Sequence, residues 1–451
     1  MNKKFMWGNS TSSMQTEGGY NIDGKGKSVY DIREATENTS DWKVAIDEYN
    51  RYQEDIELMK EMGVNAYRFQ VSWSRVLSDG FGKINEKGLQ FYDRLINCLI
   101  ENHIEPIICL YHFDMPLKLS EEYNGFSSKE VVDYFFKFAK IVIDRYHEKV
   151  KYWITFNEHN LYSTTGAFLI ARSNKEENLT NLYQIQFNTF LAHAKVEKYI
   201  HEKYEDLKIG GMLAYSTFYP SSSKPEDTYL RNIYDDFSNK LYLDIFNGKG
   251  YLKTFDKYLE NREVILDKSD DEIELINGMK SDFIAFSYYQ SQTIKYMGHD
   301  YDPFDTSSMV DNQYLDRSEW NWEIDPDGLL ISMLDIYNRC NLPLFIFENG
   351  IGIREEYKEG ELIEDDLRIS YHKSHIEAML KAMDMGVECI GYLGWGLIDI
   401  LSSSGNMEKR YGTVYVNRGN HDLRDLKRIK KKSFNYIKQV YESNGKDLEI
   451  R

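Results

Sequence analysis

The stretch Leu344-Phe345-Ile346-Phe347-Glu348-Asn349-Gly350 is apolar for four residues and then breaks into a carboxylic acid, an amide and a glycine. An unbroken apolar run suits a strand covered on both faces, as in a parallel sheet wrapped by helices. An acid at the carboxyl end of such a strand, with a glycine that lets the backbone turn sharply, is how a barrel strand delivers a functional side chain. The stretch Tyr152-Trp153-Ile154-Thr155-Phe156-Asn157-Glu158 repeats the pattern with a second glutamate.

Outward from these two, similar short runs recur at Phe5–Gly8, Asn65–Gln70, Pro106–His112, Ile209–Leu213, Phe283–Ser287 and Cys389–Trp395. Together they make eight candidate strands. Helical stretches alternate with them: Asp47–Met62, Leu89–Glu101, Lys129–Tyr146, Gln186–Lys203 and Asp366–Met385. In Val131, Phe135, Phe138, Ile141 and Val142 the apolar positions recur three or four apart, a buried helix face. Gly63, Gly210 and Gly386 are read as left-handed residues ending helices. The segments 215–270 and 291–325 are polar and read as loops and minor helices added to the same unit. The expected fold class is α/β: a single (β/α)8 TIM barrel with elaborated βα loops over residues 1–451.

The polar residues cluster where such a barrel puts its chemistry, at the carboxyl ends of the strands. Gln15 follows the first strand, Arg68 lies in the second, His112 ends the third, and Asn157 and Glu158 end the fourth. Tyr289 follows the sixth, Glu348 ends the seventh and Trp395 ends the eighth. Singly, each has a plain structural reading: a rim carboxylate, a satisfied histidine, a core tryptophan. Their joint placement points to a site.

Composition narrows the partners. The net charge of −18 opposes binding to a polyanionic nucleic acid. No run approaches the roughly 20 apolar residues of a membrane span. The opening Met1–Gly19 has no apolar run of signal-peptide length. Cys98, Cys109, Cys340 and Cys389 lie far apart, without metal-site spacing, and read as reduced thiols of a cytoplasmic protein. No cofactor or metal is expected.

Two glutamates converging on one barrel mouth suit glycoside hydrolysis, which needs paired carboxyl groups flanking the scissile bond. In the retaining geometry they stand about 5–5.5 Å apart, one as nucleophile and one as acid and then base. Glu158 is the expected acid/base and Glu348 the expected nucleophile. Repulsion from an ionised Glu348 would keep Glu158 protonated, while Arg68 and a hydrogen bond from Tyr289 would keep Glu348 ionised. Asn157 is placed to hold the sugar 2-hydroxyl.

At these residues the chain resembles glycoside hydrolase family 1. The resemblance rests on Phe5-Met6-Trp7-Gly8 with Gln15-Thr16-Glu17-Gly18, on Tyr67-Arg68-Phe69 with Ser72-Trp73-Ser74-Arg75, on Tyr111-His112-Phe113-Asp114-Met115-Pro116, and on the two glutamate motifs. It implies a (β/α)8 barrel, retention of configuration, no cofactor, and a sugar held by Gln15, His112, Asn157 and Trp395. Three residues depart from the family's usual pattern: His159 stands for Pro, Phe347 for Thr and Gln70 for Ser.

Members acting on neutral sugars usually carry a Glu-Trp pair where this chain has Ser402-Ser403. A serine there removes a carboxylate that would repel a 6-phosphate and supplies a donor. With Lys409 and Tyr411 it resembles the phosphate site of the 6-phospho-β-glycosidases. Phospho-β-galactosidase-like members carry Trp at the position of Ser403, so its absence implies a gluco-configured substrate. The expected substrate is a phosphorylated β-glucoside and the expected enzyme a 6-phospho-β-glucosidase. The alternatives are a 6-phospho-β-galactosidase, a β-glucosidase for unphosphorylated substrates, and a sugar-binding barrel without chemistry.

Overall fold

The computed structural model of the protein describes residues 5–450. Eight parallel strands close into a barrel in sequential order. They are Met6–Ser10, Ala66–Gln70, Glu105–Tyr111, Tyr152–Phe156, Lys208–Ala214, Phe283–Ser287, Leu344–Asn349 and Cys389–Trp395. The first strand pairs with the last in the register Met6 to Gly391 and Ser10 to Trp395. The apolar runs locate all eight to within two residues.

Two buried layers hold the barrel. Inside it, Ile107, Ile154, Met212, Phe283, Phe345 and Phe347 pack across the axis. Outside, helices lay their apolar faces on the strands. The helix Lys129–Tyr146 buries Val131, Phe135, Phe138 and Val142, as its spacing predicts. The helix expected from Gln186 begins earlier, at Leu179, because Asn178 caps it by accepting from the Asn181 amide at 2.9 Å. Its first turns carry polar residues that hide the start of the apolar pattern.

Gly63 and Gly386 adopt the expected positive φ, 84° and 103°. Gly210 does not end a helix. It lies within the fifth strand, where a Cβ would come 2.5 Å from the Phe283 ring, so it is kept small by packing. The segment read as loops after residue 290 also contains strands. Gln292–Ile294 pairs with Phe218–Pro220 and with Met309–Val310, and this small sheet stands over the barrel mouth. The strands are too short for alternation to reveal them.

Among the described residues no helix is long and apolar enough to cross a membrane. Nor is any group of three or more His, Cys, Asp or Glu arranged to hold a metal ion.

Candidate active site

A cavity of about 380 Å³ opens at the carboxyl ends of the strands, and both Glu158 and Glu348 line it. Gln15, His112, Tyr289, Trp395 and Tyr411 line it too, so tertiary structure gathers residues spread over some four hundred positions. A larger hollow of about 1110 Å³ lies at the opposite, amino ends of the strands, and neither glutamate reaches it.

Glu348 is held by two donors. Arg68 Nη1 donates to Oε1 at 2.8 Å and the Tyr289 hydroxyl donates to Oε2 at 2.8 Å. Arg68 is fully buried in the second strand, and its other terminal nitrogen donates to Asn157 Oδ1. That bond fixes the amide of Asn157 and leaves its buried Nδ2 without a partner. Such an orphaned buried donor, next in the chain to the cavity-lining Glu158, suits a substrate hydroxyl. Buried His112 likewise has an unpartnered Nδ1, and its ring stands 5.7 Å from that of Trp395.

Glu158 sits just past the fourth strand with φ 45° and ψ 59°, the left-handed region that costs a non-glycine residue about 1–2 kcal/mol. It accepts one hydrogen bond, from the Ser287 hydroxyl at 2.5 Å. Burial pushes both carboxyls above their ordinary range. For Glu348 it does so to about 8, with repulsion from Glu158 adding and Arg68 and Tyr289 opposing. Glu158 is raised by burial and drawn back by Ser287 and Arg68. Carboxyls that repel one another release their protons as a pair. The donors decide where the shared proton sits. A guanidinium and a phenol favour the anion on Glu348, while Glu158 has a single hydroxyl donor.

The departures from the family pattern each find a place. His159 is buried between Phe156 and Phe190, with ring centroids 4.8 Å away on both sides. Burial, and then the neighbouring His193, holds its pKa well below the usual value, so it brings no charge to Glu158. Gln70 accepts from the Ser13 amide and hydroxyl at 3.1 and 2.9 Å and donates to Asp114, bracing the turn that carries Gln15. Gln15 is fixed at both ends of its amide, donating to Leu401 O and accepting from Ser12. Phe347 packs in the barrel interior with its ring 5.9 Å from the Arg68 guanidinium.

The three residues read as a phosphate site are arranged unequally. Tyr411 faces the cavity. The Ser402 hydroxyl is engaged inside its own loop, accepting from the Asn406 amide at 3.0 Å and lying 3.0 Å from the Ser404 hydroxyl; Ser403 is the serine that lines the cavity. Lys409 is nearly buried, its ammonium 3.5 Å from the centroid of the Trp322 ring. Trp322, Ser287 and Trp320 were not singled out from the sequence. The pair Trp320-Asn321-Trp322 in a polar segment was the available signal, and Trp322 proves to line the cavity.

A closed parallel barrel with two buried carboxyls on one cavity defines the class: a barrel glycosidase. The chain belongs to glycosyl hydrolase family 1, whose family model matches residues 1–446. It is 38% identical over 470 residues to the aryl-phospho-beta-D-glucosidase BglC of Bacillus subtilis, covering 99% of this chain and 98% of that protein. It is 36% identical to a 6-phospho-beta-glucosidase of Clostridium longisporum, covering 99% and 98%. Beta-glucosidase A of Acetivibrio thermocellus is 35% identical, with 98% of each chain covered. The solved family 1 β-glucosidase of Thermotoga maritima superposes with a TM-score of 0.89 at 31% identity, covering 99% of both chains.

Proposed function

We propose that the protein is a retaining 6-phospho-β-glucosidase working by double displacement. The observation that carries the chemistry is the asymmetry of the two carboxyls on one cavity, Glu348 with two strong donors and Glu158 with one hydroxyl. In the first step Glu348 attacks the anomeric carbon while Glu158 gives its proton to the leaving oxygen, and the aglycone departs as an alcohol. The ester removes the charge on Glu348, so the acidity of Glu158 rises and its carboxylate becomes the base for water. Water then breaks the ester and regenerates both groups, giving retention. Asn157 holds the 2-hydroxyl, and Gln15, His112 and Trp395 the rest of the glycone.

The phosphate part of this reading is supported by Tyr411 and Ser403 on the cavity wall and by Lys409, which lies against the wall residue Trp322 and has no carboxylate partner among the described residues. It is also supported by relatives named as phospho-β-glucosidases. The Ser402 amide donates to Asn406 O at 3.2 Å, so Ser403, which lines the cavity, takes the contact read for Ser402. The free cysteines fit a cytoplasmic enzyme acting on imported phosphosugars.

The test is a side-by-side rate on 4-nitrophenyl β-glucoside 6-phosphate, its galacto epimer and the two unphosphorylated compounds. The phosphorylated glucoside should be hydrolysed fastest by a wide margin. Equal rates with and without the phosphate reject the phosphate reading, and a faster galactoside rejects the glucose assignment.

A further inference from the structure

A lysine in a protein with 73 acidic residues has many carboxylates to pair with, yet Lys409 takes none. Among the described residues, no hydrogen bond or ion pair reaches its ammonium. Aromatic faces surround it instead, with Nζ 3.5 Å from the centroid of Trp322, 5.4 Å from that of Trp320 and 5.6 Å from that of Tyr411. Its stem lies against Gly352, where a Cβ would come 2.6 Å from the lysine Cγ.

The carboxylates next to these groups in sequence are held by a different cation. The Arg354 guanidinium pairs with Glu408, the residue before Lys409, and lies 3.6 Å from Glu319, the residue before Trp320. The Arg354 amide also donates to Glu319. Both tryptophans belong to one short hairpin, closed by the bridge between Arg317 and Glu323 and by the Ser318 amide donating to Trp322 O at 2.8 Å. Arg354 thus occupies the acids and also lies 5.4 Å from the Trp320 ring, while Trp322 is the indole nearest the lysine.

An indole face attracts an ammonium without neutralising it, and so leaves its N–H donors and its charge for a stronger partner. It also fixes a long, rotamer-rich side chain before the ligand arrives, which lowers the ordering cost of binding. We propose that Trp322, assisted by Trp320, is a positioning residue that sets specificity for the phosphorylated glycone: it holds the Lys409 ammonium against the cavity-lining rings of Trp322 and Tyr411, free of any carboxylate among the described residues, so that a substrate phosphate is its first anion. This rests on the phosphoglucoside reading above. The lowered pKa of Lys409, brought to about 8 by burial, accords with a cation that has no anionic partner.

The experiment compares Trp322→Leu and Trp322→Phe, each with Lys409 intact and with Lys409→Met. The readout is the ratio of kcat/KM on 4-nitrophenyl β-glucoside 6-phosphate to that on the plain glucoside. The circular dichroism spectrum and the melting temperature of each variant report folding. Trp322→Leu should lower the ratio about tenfold, mainly through KM on the phosphorylated substrate, and Trp322→Phe should recover most of it by restoring a ring face. In the Lys409→Met background, Trp322→Leu should leave the ratio where it is. A loss equal on both substrates, or one that persists without Lys409, overturns the inference by making Trp322 a plain wall of the cavity. A ratio that Lys409→Met itself fails to lower rejects the phosphate reading and this inference with it.

Discussion

Arg68 and Glu348 form an ion pair at 2.8 Å in which the arginine is fully buried and the glutamate nearly so. The second strand supplies the cation and the seventh the anion, 280 positions apart in the chain. A buried pair of this kind is costly to break from one side, because the remaining charge is left without solvent or partner.

Arg68→Met should therefore act mainly through Glu348. Arg68 draws the Glu348 pKa down, so its removal lets burial and Glu158 push that carboxyl further up. The anion that the proposed attack needs then forms only at higher pH. The acid limb of the kcat/KM profile should move to higher pH, and kcat/KM near neutrality should fall by about 10²–10³-fold. An unmoved acid limb in the pH–rate profile would place the effect elsewhere.

On the proposed double displacement, Glu348→Gly removes the attacking oxygen but leaves Glu158 and the cavity. Turnover should fall by more than about 10⁴-fold. Added azide should restore part of it on an activated aryl substrate, giving the α-glycosyl azide because the small anion enters from the vacated face. Nuclear magnetic resonance of the product reads the configuration, and a β-azide would reverse the two roles.

The phosphate preference should depend on pH with a definite sign. A phosphate monoester becomes a dianion above about pH 6. Lys409 loses its charge as pH rises through about 8. The ratio of kcat/KM on phosphorylated over plain glucoside should rise from pH 5 to 7 and fall above 8. Proton exchange on Glu158 and Glu348 affects both substrates and cancels in the ratio. Lys409→Arg, which stays charged, should abolish the alkaline fall; a fall that survives it would assign the titration to another group.

Gly210→Val tests the barrel rather than the site. The new side chain meets the Phe283 ring and backbone, with a Cβ only 2.5 Å away. Overpacking of this kind costs about 1–3 kcal/mol, and the melting temperature should drop by several degrees. An unchanged melting temperature would show that Phe283 can yield.

The family model and the relatives bear out the family and the glycosidase class read from the motifs. The element pattern was legible because covered parallel strands must be apolar throughout, and Lys129–Tyr146 was legible because its buried face recurs with the helical period. The short strands at Phe218, Gln292 and Met309 were not, since two or three residues carry no period. Gly210 was misread because a glycine looks the same in sequence whether it serves a turn or makes room for a ring.

The sequence by itself determined the barrel, the two glutamates and the substitution of serines for the usual Glu-Trp pair, because each follows from local pattern or identity. Only the tertiary structure decided what those groups face. It set Arg68 and Tyr289 on Glu348, tied the Ser402 hydroxyl into its own loop, and laid Trp322 across Lys409. Charge and hydrogen-bond partners act over a few ångströms through space, and nothing in the order of residues records which distant segments will share those few ångströms.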